Sequence, residues 1–175
     1  MKKIILLWML FVNGCVSIPE QITPVSPFQL DRYVGKWYEI ARLDHRFERG
    51  LTQISAEYSL REDGSLKVLN RGYSMENQEW HEAEGTGYFV DSPNQAYLKI
   101  SFFGPFYGSY IVFDLDTVNY QYALISGPDK SYFWLLARTP SIDKELQAAL
   151  IKKAAALGFD VSKIIYANKN VVGQE

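Results

Sequence analysis

The sequence is poor in the residues that build metal sites and disulfides. Its 175 residues include one cysteine, Cys15, and two histidines, His45 and His81. A single cysteine excludes an internal disulfide and a thiolate metal cluster. Two histidines argue against a protein-ligated catalytic zinc. Positive charge is not in excess: 18 Lys and Arg face 20 Asp and Glu, for a net charge of −2. With no basic stripe to track a phosphate backbone, nucleic acid is excluded as a partner. No apolar run approaches the ~20 residues that span a bilayer. There is no Gly-x-Ser-x-Gly elbow for a nucleophilic serine, and no internal repeat. These absences point to a binding module rather than an enzyme, with no cofactor and no metal.

What is present is ordinary in charge and rich in rings. Hydrophobic residues make up 47% and charged residues 22%, with 4 Trp, 12 Tyr and 10 Phe, as suits one folded domain. The chain opens on an address. Lys2 and Lys3 precede the uncharged run Ile4 to Val12, the pattern of a signal peptide. Val12-Asn13-Gly14-Cys15 then resembles the lipobox of bacterial lipoproteins, in which the leader is cut before the Cys and the Cys is acylated. On that resemblance residues 1–14 are the leader and Cys15 is the lipid attachment site. Val16, in place of Asp, implies sorting to the outer membrane, with the anchored protein on its periplasmic face. Residues 15–27 carry Pro19, Pro24 and Pro27 and read as an extended, flexible tether that enters the domain of residues 28–175 near its closed end, so that either orientation to the membrane is reachable.

Between Gly35 and Arg138 eight stretches have strand character: 36–43, 52–62, 65–74, 80–90, 95–103, 108–115, 119–126 and 131–138. Turn signals such as Asp63-Gly64, Ser92-Pro93-Asn94 and Gly127-Pro128-Asp129 separate them. No helical pattern interrupts them, so neighbours pair antiparallel. Ile54, Ala56, Tyr58 and Leu60 alternate with Gln53, Ser55, Glu57 and Ser59, giving one dry face. Leu66, Val68, Ala83, Gly85, Phe89, Leu98, Ile100 and Phe102 continue it. Such a set buries its dry face as a two-sheet sandwich or a closed barrel. A helix follows over 142–157, with Ser141 as N-cap and Gly158 as the C′ glycine. Its stripe Ile142, Leu146, Ala149, Leu150, Ala154 and Leu157 packs on the sheet. Residues 164–167 add a last short strand.

Gly35-Lys36-Trp37 near the first strand and Arg138 closing the last resemble the outer two motifs of the lipocalins. The middle motif, Thr-Asp-Tyr, is degraded to Leu115-Asp116-Thr117. Trp37 to Arg42, Glu57 to Leu60, Asp44 to Gly50 and Ser101 to Gly108 are similar to apolipoprotein D and the bacterial lipocalins, and the likeness covers residues 28–166. It implies an all-β fold: an eight-stranded antiparallel up-and-down barrel with one C-terminal helix outside. It also implies a lipid carrier.

Topology alone puts Trp37 and Arg138 at one end, since strand one starts where strand eight finishes. With Gly35 they form a structural cap, a guanidinium stacked on an indole. The loops after strands one, three, five and seven then form the mouth. Arg46, Arg49, Phe106 and Tyr107 are its headgroup candidates, beside Asp44, His45 and Glu48. The barrel lining comprises Tyr33, Tyr110, Val112, Trp134 and Leu136 in addition to the dry face above. Small Ala56, Ala83, Gly85 and Gly87 leave room among large rings for a fatty acid or lysophospholipid. An envelope scaffold with a solid interior and, at a further remove, a lipid-modifying enzyme remain as other readings. Outward Phe103, Ile111 and Phe113 offer a surface for a homodimer.

Overall fold

The computed structural model describes residues 16–167. The leader and Cys15 lie outside the described residues. A short helix α1 (Leu30–Tyr33) precedes eight strands: β1 (Gly35–Leu43), β2 (Leu51–Leu60), β3 (Leu66–Ser74), β4 (Glu79–Phe89), β5 (Tyr97–Phe103), β6 (Phe106–Leu115), β7 (Tyr122–Ser126) and β8 (Phe133–Ala137). Helix α2 (Lys144–Ala156), a 3₁₀ turn and β9 (Ile164–Tyr166) follow. Each strand pairs antiparallel with the next, and β1 pairs with both β2 and β8. The sheet is therefore a closed barrel, not a sandwich, and closure leaves no long open edge.

Closure is incomplete at one height. β1 pairs with β2 only from Gly35 to Tyr38. Beyond that, β9 takes the vacated edge, with Ala41 opposite Tyr166 and Leu43 opposite Ile164. The two strands thus splay towards the mouth, and charged side chains enter there.

Two cores share the wall. Inside, at the closed end, Phe28, Tyr33, Trp37, Leu66, Leu98, Val112 and Tyr120 pack into a floor. Outside, Leu150 and Ala154 of α2 bury Ile40, Ala41, Leu124, Leu135 and Phe133. The helix begins later than its sequence signal, because Asp143 rather than Ser141 caps it, its carboxylate accepting from Leu146 N at 3.0 Å. It ends as the sequence implies. Gly158 has φ +85°, and Gly158 N and Phe159 N donate to Ala155 O and Ala154 O, a Schellman closure. Ile111 and Phe113 belong to this covered side. Ile111 is fully buried and Phe113 is half-buried, stacked on Phe159 at 5.4 Å, so of the three only Phe103 is fully open.

The stretch read as a tether is instead laid against the barrel. Ile22 is buried in the outer core, Val25 N donates to Val112 O (2.8 Å) and Ala96 N donates to Val25 O (2.9 Å). Phe28 joins the floor. Its prolines keep the segment extended, and two of its apolar residues supply the attachment.

The degraded middle motif has kept its function as a turn. Asp116 accepts from Val118 N, Asn119 N and Gln121 N at 3.1–3.3 Å. Arg32 of α1 reaches Val118 O at 2.7 Å and lies over the Tyr120 ring.

Candidate functional site

The barrel holds a cavity of about 920 Å³, open at the end away from Trp37. That lies in the range of pockets that enclose a small ligand. Ile54, Ala56, Tyr58, Val68, Ala83, Ile100, Phe102, Tyr110, Trp134 and Leu136 line it, and Arg46, Arg49, Phe106 and Tyr107 border its mouth. Other residues expected in the lining sit elsewhere. Tyr33, Leu66, Leu98 and Val112 are packed into the floor, with Phe89 against them. Gly85 faces the Phe102 ring, which would stand 2.9 Å from an added Cβ, so that ring occupies the room the glycine leaves. Leu60 is 54% exposed. It pairs with Leu66 at the last rung of the β2–β3 hairpin, past the floor, where no interior remains for it to enter.

The floor is polar at one point. Tyr110 Oη lies 2.7 Å from Tyr33 Oη and 2.8 Å from Tyr58 Oη. Burial raises all three phenols above their ordinary pKa, so they stay neutral. Tyr110→Phe removes the hydroxyl that both neighbours share. The expected loss is about 1–2 kcal/mol, read as a lower urea midpoint with an unchanged slope.

Below this floor Trp37 is fully buried and its Nε1 donates to Tyr33 O at 2.7 Å. Arg138 lies over the indole at 3.9 Å. Gly35 has φ +96°, and a Cβ there would stand 3.4 Å from the guanidinium. The motif residues therefore seal the end and do not touch the cavity.

The wall near the mouth holds a feature that sequence reasoning missed. Trp37 and Glu39 both point inward. The register then slips between Glu39 and Ala41, so Ile40 and Ala41 both join the outer core and Arg42 turns in. Arg42 stands opposite Trp134, a lining residue. Glu39 and Arg42, three apart, thereby meet at 2.5 Å, exposed by 3% and 4%. The β1–β2 loop closes over them. Arg42 Nη2 donates to Glu48 O at 3.2 Å, Glu48 Oε2 lies 3.0 Å from His45 Nε2, and Trp134 Nε1 donates to the same oxygen at 3.0 Å. His45 is 8% exposed. His45 and Glu48 are thus not solvated loop charges, whereas Asp44 and Arg49 pair in the open at 2.8 Å.

One guanidinium here serves two carboxyls. Burial pushes Glu39 up, the Glu48 charge adds to it, and Arg42 offsets only part, leaving a pKa of about 8. Burial also pushes Glu48 up, but the hydrogen bonds from His45 and Trp134 and the Arg42 charge outweigh it and hold Glu48 below the usual range. The proton therefore sits on Glu39, whose Oε2 has no hydrogen-bond partner among the described residues. The cluster carries Arg42⁺ against Glu48⁻ and presents no spare positive charge to the cavity.

An eight-stranded cup with a plugged floor and an external helix is the architecture of a known family. Residues 28–169 match the model of the lipocalin-like domain. The chain is a lipocalin. It is 53% identical over 165 residues to the outer membrane lipoprotein Blc of Vibrio cholerae, covering 94% of this chain and 96% of that protein. It is 50% identical over 151 residues to the outer membrane lipoprotein Blc of Escherichia coli strain K12, covering 86% and 85%. Among solved structures, insecticyanin from the tobacco hornworm Manduca sexta superposes with a TM-score of 0.68 at 23% identity, covering 86% and 85%, a likeness of fold alone. Lipocalins bind small hydrophobic ligands, and these close relatives are named outer membrane lipoproteins of Gram-negative bacteria. His81 is exposed beside Glu79 on β4, away from the buried cluster.

Proposed function

We propose that the protein is a lipid-anchored carrier of the cell envelope. Cys15 bears the acyl anchor, and the barrel holds the tail of a fatty acid or lysophospholipid. The observation that carries this reading is the cavity itself: about 920 Å³, apolar below, closed by Trp37 and open at one rim. A scaffold needs no such space. Burying a chain of about 16 carbons gains on the order of 13 kcal/mol gross at ~0.8 per methylene. Ordering the chain and losing free motion return several kcal/mol, leaving roughly micromolar affinity or better, about −8 kcal/mol.

The buried cluster bears on the head. Arg42 is buried in the wall and held by Glu39 and Glu48, and Arg71, which borders the cavity, pairs with Glu82 at 3.4 Å. A naked carboxylate drawn into the cavity would meet no uncommitted positive charge and would be costly to bury. The head therefore stays at the rim, where Arg46, Arg49 and Tyr107 stand, and a phosphate-bearing or hydroxylated head suits that place better than a bare acid. Delipidated protein should bind a fluorescent lysophospholipid saturably and a neutral sugar not at all. Ala83→Trp, which narrows the open half of the cavity that the exposed Ala83 borders, should weaken lysophospholipid binding more than tenfold while leaving the thermal midpoint within a few degrees. Saturable binding of the sugar alone would end the reading.

A further inference from the structure

The segment before the barrel runs from its closed end back to its mouth. From Phe28 at the floor it climbs the wall through Val25, held to Val112 and Ala96, to Ser17. Ser17 N donates to Ser109 Oγ at 2.8 Å, that hydroxyl donates to Ser17 O at 2.7 Å, and Ser17 Oγ donates to Pro128 O at 2.9 Å. Val16 packs into the outer core. Ser109 and Pro128 both border the cavity, and Pro128 lies in the β7–β8 loop at its mouth. Cys15 is two residues from Ser17, within about 8 Å at 3.8 Å per Cα step. The first described residues, Val16 and Ser17, therefore lie beside the open end, not the closed one.

The same end carries most of the exposed large apolar side chains. Phe47, Met75, Trp80, Phe103 and Phe106 have between 44% and 73% of their surface open. They come from three mouth hairpins, β1–β2, β3–β4 and β5–β6. Among the described residues, the exposed large apolar side chains away from the mouth are fewer and scattered: Leu60 and Val118 at closed-end turns, Tyr88 late in β4 and Ile18 on the N-terminal stretch. Exposed apolar surface gathered on one rim marks an interaction site, and aromatic rings favour the boundary between headgroups and acyl chains. Rim charges are largely matched, Arg49 with Asp44 and Arg71 with Glu82 at 3.4 Å. The attraction is thus apolar and needs no anionic surface.

We propose that the open rim of the barrel rests on the lipid surface that holds the Cys15 anchor, with Phe47, Met75, Trp80, Phe103 and Phe106 among the headgroups. This rests on the acylation of Cys15 and the carrier role proposed above. It adds the direction: a tail passes between membrane and cavity through the rim, without crossing water. A short pinned connection makes this the low-cost geometry, since turning the closed end to the bilayer would require tearing Ser17 and Val25 from the wall.

The test uses the full acylated protein in vesicles of phosphatidylethanolamine and phosphatidylglycerol. Met75→Cys, at the rim but outside the cavity lining, and Val118→Cys, at the closed end, each carry an environment-sensitive fluorophore. Nitroxide on the lipid chains should quench the label at 75 several-fold more than that at 118, and aqueous iodide should do the reverse, at low and high salt alike. Equal quenching, stronger quenching at 118, or a rim label shielded only because two copies associate would overturn the orientation. Lysophospholipid binding by the same samples is scored separately. Binding with an aqueous rim sinks the orientation and spares the carrier. A quenched rim without binding does the opposite.

Discussion

Arg138→Ala should cost about 3–4 kcal/mol of stability and change lysophospholipid affinity by less than threefold. The guanidinium makes four backbone contacts: Nε to Tyr120 O (3.2 Å), Nη1 to Lys36 O (3.0 Å), and Nη2 to Arg32 O (2.8 Å) and Tyr33 O (3.1 Å). These carbonyls belong to α1, to the entry of β1 and to the turn before β7, so one side chain ties three segments of the closed end. A hydrogen bond from a charged donor contributes about 1.5–3 kcal/mol where it is shielded, and stacking on an indole about 0.5–2. Because the group is partly open to water, the sum is well below four full bonds. The effect on ligand is small because Trp37 and the tyrosine floor stand between Arg138 and the cavity. Urea unfolding and lysophospholipid titration of the same sample read the two numbers. Loss of binding at unchanged stability would make Arg138 a ligand contact and refute the cap. Arg138→Lys keeps the charge without the planar fork and should recover less than half of the loss.

That cap was legible in advance because it follows from strand parity alone: in an up-and-down set of eight, Trp37 and Arg138 must share an end. Strand existence was equally plain. All eight strands, the outer helix and β9 fall where period two, turn residues and the helical stripe put them, with ends shifted by a few residues. What failed was strict alternation carried through irregular points. Leu60 has the right parity and lies outside because its strand outruns the floor. Arg42 has the wrong parity and lies inside because β1 slips by one residue after Glu39. A bulge of that kind leaves no mark in composition. Glu39 did leave one: it shares parity with Trp37, and a carboxylate on the inward face of a barrel strand requires a buried partner. That parity calls for a buried partner without naming Arg42, which only the slip after Glu39 brings inside. The pinned N-terminal stretch was misread for the opposite reason. Its prolines advertise extension, while Ile22 and Val25 attach it to a surface that exists only once the barrel has closed.

The buried cluster should set the pH dependence of stability, and Arg42 should be its most sensitive member. Arg42→Met retains much of the side-chain volume and removes the only cation between Glu39 and Glu48. Breaking a buried pair from one side costs about 3–5 kcal/mol, and the lower part of that range is expected because Glu39 can keep its proton. The sign with pH follows from the two carboxyls. Glu39 is raised from 4.5 to about 8 in the fold. Between those values the folded state binds more protons than the unfolded chain, so stability falls as pH rises through that window, by up to about 1.4 kcal/mol per unit. Glu48 is lowered. Its contribution is present above 4.5 and is lost as pH falls below. Together they place the stability maximum near the acid edge of the window and a long decline on its alkaline side. Glu39→Gln keeps the size and removes the titration, so its urea midpoint should be nearly flat between pH 5.5 and 8.5 while that of the parent falls. Parallel curves for the two proteins would show that Glu39 is already ionised in the fold. In that case Arg42 would be matched to both carboxylates at once, and Arg42→Met should then fall at the upper end of the stated cost.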